Sequence, residues 1–389
     1  MKNKALGTIF LIVLIDLLGF GIILPLLPFI AEKFGGNPFE IGLLGATYSF
    51  FQLVSSPILG RLSDRFGRKK ILIISQAGSA LGYILLGFSN SLPLIFLSRA
   101  VDGATGGNIS IAQAYIADVT SPKERTKGMG FIGAAFGIGF IFGPVTGGLL
   151  SKISFGMPAF FAAGISLLTI LTTSLFLKES INLKKAEHSK KTKFSLSELK
   201  RTLNTYPLGI LIVTFFLLNF GFSLLQGTFA LWTQSTFGFD AEKNGYLFAY
   251  IGILAVIMQL RVLPYLIKKW PERKLLVFST FSLALGLFLI PVLPHPDLLY
   301  FSLLFISFGN GLSNPVIQSL ASENVPKEEY GGTLGFLQSS GSLGRILGPA
   351  IGGAIFNVLG KNSPFFFGAG LVFLVFLYLR RSFRDRGRT

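Results

Sequence analysis

About a dozen runs of roughly twenty apolar residues follow one another along this 389-residue chain, separated by short polar connections. A run of that length crosses the hydrocarbon of a bilayer as an α-helix, because no water is present there to satisfy exposed backbone groups. By length the helices fall near 5–31, 39–61, 70–89, 92–117, 128–150 and 157–177, then near 206–233, 244–267, 273–293, 297–320, 332–358 and 363–381. The first run is too long for the apolar core of a cleaved signal, and no small-residue cleavage site follows it. With 51% apolar residues and 46 glycines, the composition suits helices that pack with their backbones close. The pattern predicts an all-α polytopic membrane protein of twelve spans.

The formal net charge of +17 could point to nucleic acid, but its distribution argues otherwise. Basic residues gather in every second connection: Lys2 and Lys4, Arg61 to Lys70, Lys123 to Lys127, eight between Lys178 and Arg201, Lys268 to Lys274, Lys327, and Arg380 to Arg388. The intervening loops hold only Lys33, Lys152, Lys243 and Lys361 of the 35. This positive-inside bias predicts a multi-pass protein of the cytoplasmic (inner) membrane with both termini in the cytoplasm, and no nucleic-acid partner. The chain has no cysteine, and its two histidines, His188 and His295, fall in connections. Disulfides and thiolate chemistry are excluded, and no metal site is expected, since zinc needs three or four clustered ligands.

The two sets of six runs are copies. Gly130, Gly139, Gly143, Pro144, Gly147 and Gly148 recur as Gly335, Gly344, Gly348, Pro349, Gly352 and Gly353 at one constant offset. Pro122-Lys-Glu recurs as Pro326-Lys-Glu, and Pro158-Ala-Phe-Phe as Pro364-Phe-Phe-Phe. Six spans per copy leave both in the same orientation, related by an axis along the membrane normal. The expected organisation is an N-terminal bundle (1–177), a basic cytoplasmic linker (178–205), a C-terminal bundle (206–381) and a basic tail (382–389). Within the linker, 195–204 is a candidate amphipathic helix on the anionic lipid surface.

Several motifs resemble the major facilitator superfamily. Gly60-Arg-Leu-Ser-Asp64-Arg65-Phe-Gly67-Arg68-Lys69-Lys70 resembles its cytoplasmic loop between spans two and three, and Gly139-Phe-Ile-Phe-Gly143-Pro144-Val-Thr-Gly147-Gly148 the antiporter motif of its proton-coupled drug exporters. Asp16 to Pro28 and Arg99 to Gly106 resemble spans one and four of its tetracycline-efflux branch. The likeness covers most of the first half and spans ten to twelve; elsewhere it rests on hydropathy. It implies the major facilitator fold, with two pseudo-symmetric six-helix bundles that rock to give alternating access. It also implies a cytoplasmic gate in which Asp64 meets the start of span eleven and Arg68 pairs with Asp118, with a merely topogenic basic loop as the alternative. The stripe Ala135, Gly139, Gly143 and Gly147 lies on one helix face; the likeness implies a seal against the partner half, and plain small-residue packing is the alternative.

Four ionisable residues lie well inside spans: Asp16, Arg99, Asp102 and Arg345. A charge at the bilayer centre costs at least about 2.5 kcal/mol, so such groups face a cavity or a partner. Arg99 and Asp102 can pair at i, i+3. Asp16 is the leading candidate for reversible protonation, with a purely structural hydrogen bond as the alternative. Arg345 could meet an anionic substrate group or balance a carboxylate. Asn108, Gln113, Asn219, Gln226, Asn310, Asn314 and Gln318 are candidate cavity amides, and Phe160, Phe161, Phe215, Phe216, Trp232 and Phe366 would suit a lipophilic substrate, although a lipid-facing or packing role is the first expectation for each aromatic taken singly.

Spans three and nine carry no acidic residue at membrane depth, unlike tetracycline exporters, which speaks against tetracycline itself. The second-half loop has Lys268 and Glu272 where the first has Asp64 and Arg68. Without a GxxxxGK[ST] loop, direct ATP drive is not expected. The reading is a monomeric secondary transporter, without catalytic residues or a cofactor beyond the coupling proton, that exports small lipophilic compounds. A sugar or metabolite facilitator or symporter, a lipid flippase, and a non-transporting receptor or scaffold are the alternatives.

Overall fold

The structure, a computed structural model, describes residues 2–120, 122–180, 202–325 and 330–385. Most of the linker, including 195–201 of the expected amphipathic helix, and the end of the tail lie outside the described residues.

The first half contains α1 (Lys2–Ile23), α2 (Leu27–Lys33), α3 (Pro38–Phe66), α4 (Arg68–Gly87), α5 (Leu92–Thr105), α6 (Asn108–Val119), α7 (Pro122–Ser151) and α8 (Met157–Phe176). The second contains α9 (Leu208–Phe237), α10 (Ala241–Ile257), a π-helical turn (Met258–Val262), α11 (Leu263–Lys269), α12 (Glu272–Val292), α13 (Pro296–Glu323), α14 (Tyr330–Leu359) and α15 (Ser363–Asp385). No strand occurs among the described residues.

Three expected spans are interrupted, each at residues that cannot continue an α-helix smoothly. Proline lacks an N–H and clashes with the preceding turn, so α1 gives way to α2 at Leu24-Pro25-Leu26. Span four breaks at Gly106-Gly107, between α5 and α6. In span eight the helix widens into its π turn just before Pro264, which loosens the ladder where the proline removes a donor. Among the described residues, ten helices are long and apolar enough to cross a membrane. The expected twelve exceed this by two: the broken pair α5 and α6, and α13, whose amides and serines dilute its apolar run.

The duplication seen in the sequence is repeated in the packing. α1 lies along α7 and α8 as α9 lies along α14 and α15, while α4 packs on α5 and α8 as α12 packs on α13 and α15. The chain forms two compact units. One comprises Met1–Asn37, Thr47–Lys191 and Phe239–Gly252; the other comprises Pro38–Ala46, Thr192–Gly238 and Ile253–Thr389. Each therefore takes one helix end from the opposite half of the sequence, the first turns of α10 and of α3.

Candidate functional site

Polar groups inside the first unit converge on α1. Asn108, at the start of α6, donates its amide N–H to the Asp16 carboxylate at 2.8 Å. The break at Gly106-Gly107 sets Asn108 at a helix start, and its side chain is buried. Arg99 and Asp102 pair at 3.2 Å within α5, with side chains 4% and 5% exposed. The guanidinium also lies over the Tyr83 ring of α4, 5.8 Å from its centroid. The structure thus joins Asp16 to Asn108 and Arg99 to Asp102, and gives the two carboxylates different company: Asp102 has a cation, whereas Asp16 has an amide and is partly exposed.

The Gly60–Lys70 loop is shorter than its motif suggested. α3 runs through Gly60 to Phe66, and the turn is Gly67 alone, at φ +102, a backbone state that favours glycine. Gly60 is helical, with nothing near enough to require a glycine, so only the second glycine makes the turn. Arg68 is buried and organises the corner. It bonds Asp64 at 2.5 Å, Asp118 at 3.1 Å and the Ser63 hydroxyl at 2.6 Å. Arg65 is exposed, stacked against the neighbouring Phe66. The expected Arg68–Asp118 contact is present; Asp64 pairs with its own i+4 neighbour.

A residue not singled out from the sequence completes this corner. Glu179, just beyond α8, accepts from the backbone N–H of Arg68 at 2.8 Å and of Lys69 at 3.2 Å, which caps the exposed start of α4. Ser180 donates to Asp118 at 2.9 Å, Lys69 to the Ser174 carbonyl at 2.7 Å, and Tyr115 to the Lys178 carbonyl at 2.8 Å. The beginning of the linker is therefore tied to the loop motif. An acidic residue directly after a predicted helix and in register with a basic loop was the available signal.

The glycines of α7 serve two neighbours. Gly139, Gly143 and Gly147 face α1: a Cβ at Gly143 would lie 2.9 Å from the Gly21 Cα, and one at Gly139 would lie 2.8 Å from the Leu17 Cβ. This corrects the reading in which that stripe seals against the partner half. The adjacent stripe packs on the start of α10, within the same compact unit. A Cβ at Gly148 would lie 2.8 Å from the Glu242 Cα, one at Gly245 would lie 2.5 Å from the Pro144 carbonyl oxygen, and one at Gly252 would lie 2.8 Å from that of Phe140. The reason is geometric: 140, 144 and 148 form their own i, i+4 row, rotated by one residue from 139, 143 and 147. Lys152 extends that contact, pairing with Glu242 at 2.7 Å. By accepting this hydrogen bond, Glu242 holds the Lys152 ammonium above the ordinary lysine range.

In the second unit α14 repeats the arrangement, its Gly344 and Gly348 against Phe216, Phe220 and Ser223 of α9, and Pro349 and Gly353 against Gly42 and Pro38 of α3. Three of the candidate amides form a cluster: Asn219 donates to Asn314 at 3.2 Å, and Asn314 to Asn310 at 3.1 Å. Gln226 and Gln318 are half-buried, and Gln113 is exposed. Arg345 is half-buried and donates to Ser342 at 2.7 Å. Two of the candidate aromatics take the packing role and lie in the core. Trp232 is fully buried, donating to Asn362 at 2.7 Å and packed edge-on against Phe365, and Phe215 is buried against Gly341. Their side chains fill space between glycine-rich helices that smaller residues would leave open.

Known proteins share this organisation. The family model described as the Major Facilitator Superfamily matches residues 9–332 and 262–389. Multidrug resistance protein 2 of Bacillus subtilis (strain 168) is 32% identical over 389 residues, spanning 97% of this chain and 96% of the relative. Tetracycline resistance protein, class B, of Escherichia coli is 32% identical over 363 residues, spanning 91% of this chain and 89% of the relative. Among solved structures, the human organic anion transporter MFSD10 (TETRAN) superposes with a TM-score of 0.72 at 26% identity, over 97% of this chain and 99% of that one. The nucleoside transporter NupG superposes with a TM-score of 0.82 over 97% of this chain and 99% of its own, at 14% identity, and shares the fold. The duplicated helix packing, the Arg68 corner and the paired glycine stripes accompany a sequence match along nearly the whole length, and the chain belongs to the Major Facilitator Superfamily.

Proposed function

We propose that this protein is a proton-coupled exporter of small lipophilic or amphipathic compounds, working by alternating access in the cytoplasmic membrane as a monomer with both termini inside. Relatives of nearly full-length similarity are named for multidrug and tetracycline resistance. The observation that carries the coupling is the unequal environment of the two carboxylates. Asp102 already has Arg99 as a counter-charge at 3.2 Å, so a proton reaches it only at the cost of that ion pair, which makes it the harder of the two to protonate. Asp16 has an amide partner and is partly exposed, so a proton can reach it and neutralise it without breaking an ion pair. Asp16 is therefore the coupling group that exchanges the proton first, with the Arg99–Asp102 ion pair beside it. The proton is the only accessory species this reading requires. The Arg68, Asp64 and Asp118 corner serves as the cytoplasmic gate, and the amides Asn219, Asn310 and Asn314 offer hydrogen bonds to substrate from the second half.

The test uses everted vesicles from an efflux-deficient strain that expresses the full chain, with ethidium as probe. Energised vesicles should accumulate ethidium and stop on collapse of the proton gradient. Asp16→Asn should abolish accumulation at unchanged protein level. Accumulation that persists in Asp16→Asn, or that ignores the proton gradient, sinks the assignment.

A further inference from the structure

A small cavity lies inside the first unit, lined by Ile12, Ile15 and Asp16 of α1, Gln76 and Ser79 of α4, Asn108 of α6, and Ser166 and Thr169 of α8. It has room for about one water molecule. Two of the lining residues carry a buried polar atom with no hydrogen-bond partner among the described residues: the amide nitrogen of Gln76 and the amide oxygen of Asn108. Both residues are nine-tenths or more buried, at 4% and 1% exposure. An orphaned buried polar atom costs roughly 1–3 kcal/mol, and together these two ask for one ligand. That ligand must accept from the Gln76 N–H and donate to the Asn108 oxygen. Asn108 cannot escape by flipping its amide, since its N–H already donates to Asp16. A water meets both demands; a sodium ion does not, because the Gln76 N–H would be aimed at a cation.

The far wall leads to the second carboxylate. Ser79 lines the cavity and is also within hydrogen-bonding reach of Asp102. We propose that an ordered water in this cavity, together with the Ser79 hydroxyl, forms a hydrogen-bonded wire between Asp16 and Asp102, with Gln76 and Asn108 as the residues that position the water. The proposal rests on Asp16 being the coupling group. In a transfer along the wire, Asp16 gives its proton to the water oxygen, the water passes one of its own to Ser79, and the hydroxyl proton goes to the Asp102 carboxylate. Each O–H bond broken is matched by one formed, and no electrons are exchanged. Proton arrival at Asp102 removes the counter-charge of Arg99, so the wire lets the state of the partly exposed Asp16 reach an ion pair that solvent does not touch. The titratable and charged groups around the path are Asp16 on α1, Tyr48 on α3, Tyr83 on α4, and Arg99 and Asp102 on α5. From α6 and α8 come amide and hydroxyl groups, and from α7 come glycines packed on α1.

The experiment is a pH jump on the purified full chain in lipid nanodiscs, with the infrared carboxyl bands followed in time. In the parent protein, loss of protonated carboxyl at Asp16 should be followed by a second carboxyl change that depends on Asp102. Ser79→Ala should slow that second phase at least about tenfold, and Ser79→Thr, which keeps the hydroxyl, should restore it. Gln76→Leu should slow it as well, while thermal unfolding of each variant reports whether the fold is intact. If Asp16→Asn abolishes the first phase but Ser79→Ala and Gln76→Leu, both folded, leave the second unchanged, the wire is wrong and the coupling assignment survives. If Asp16→Asn leaves the first phase in place, both fall. Sodium-dependent shifts of the Asp16 band that are absent in potassium would also overturn the water in favour of a bound cation.

Discussion

Substituting alanine for Gly143 is a direct test of the glycine contact between α1 and α7. The added Cβ would lie 2.9 Å from both the Gly21 Cα and its carbonyl carbon, and 3.0 Å from the Ile22 nitrogen. All three are backbone atoms, so no side chain can swing aside. Restoring ordinary contact near 3.4 Å requires α1 and α7 to part by about 0.5 Å, which weakens dispersion along the whole helix pair. Overpacking of this kind costs about 1–3 kcal/mol. Alanine also gains about 1 kcal/mol of helix propensity over glycine, which partly masks the cost. Gly133→Ala supplies the control: it lies on the same helix, is exposed, and has nothing within 4 Å. Because the propensity gain is common to both variants, the difference between them isolates the packing cost, about 1–3 kcal/mol. Thermal unfolding in detergent, read from the fluorescence of Trp232 and Trp270, should place Gly143→Ala several degrees below Gly133→Ala. Equal midpoints would refute the close helix contact.

Two further outcomes follow from side-chain geometry. Glu179→Ala removes the carboxylate that caps α4 and should cost about 0.5–2 kcal/mol, seen as faster amide hydrogen exchange at Arg68 and Lys69 with little change at the far end of that helix. Trp232→Phe deletes the indole N–H that Asn362 accepts at 2.7 Å and should lower stability by about 1–3 kcal/mol in the same unfolding assay, whereas a surface Trp270→Phe should not.

Most of the helix pattern was legible because lipid leaves the backbone few options, so apolar runs and the glycine repeat carried it. The interruptions were not. Pro25 and Gly106-Gly107 sat inside runs long enough to span, and length alone reads through them. Aromatics stayed open for a related reason: Trp232 and Phe215 look identical in sequence whether they face a substrate or a neighbouring glycine, and packing decides. The Arg68–Asp118 and Arg99–Asp102 partners were read correctly, the first through family likeness and the second through spacing. Gln76 and Ser79 were overlooked because a lone amide or hydroxyl in an apolar helix draws no attention. Yet Leu72, Ser75, Gln76, Ser79 and Tyr83 follow helical spacing along α4, and that row is its buried face. A polar stripe at helical spacing within a membrane span was the signal to find the cavity.

The composition of the two units has a consequence for biosynthesis. The first unit includes Phe239–Gly252, so a ribosome that has finished the sixth span has not yet made everything that unit contains. The opening of α10 must be synthesised, and α9 must be threaded into the membrane before it, to supply the surface that meets Pro144 and Gly148. Conversely, Pro38–Ala46 emerges early and waits for α14, some three hundred residues later. At about 5–20 residues per second that interval is on the order of tens of seconds, during which the Pro349 and Gly353 surface that meets Gly42 and Pro38 does not yet exist. Nascent chains stalled before Gly252 should therefore be more open to protease near Gly148 than chains stalled beyond it.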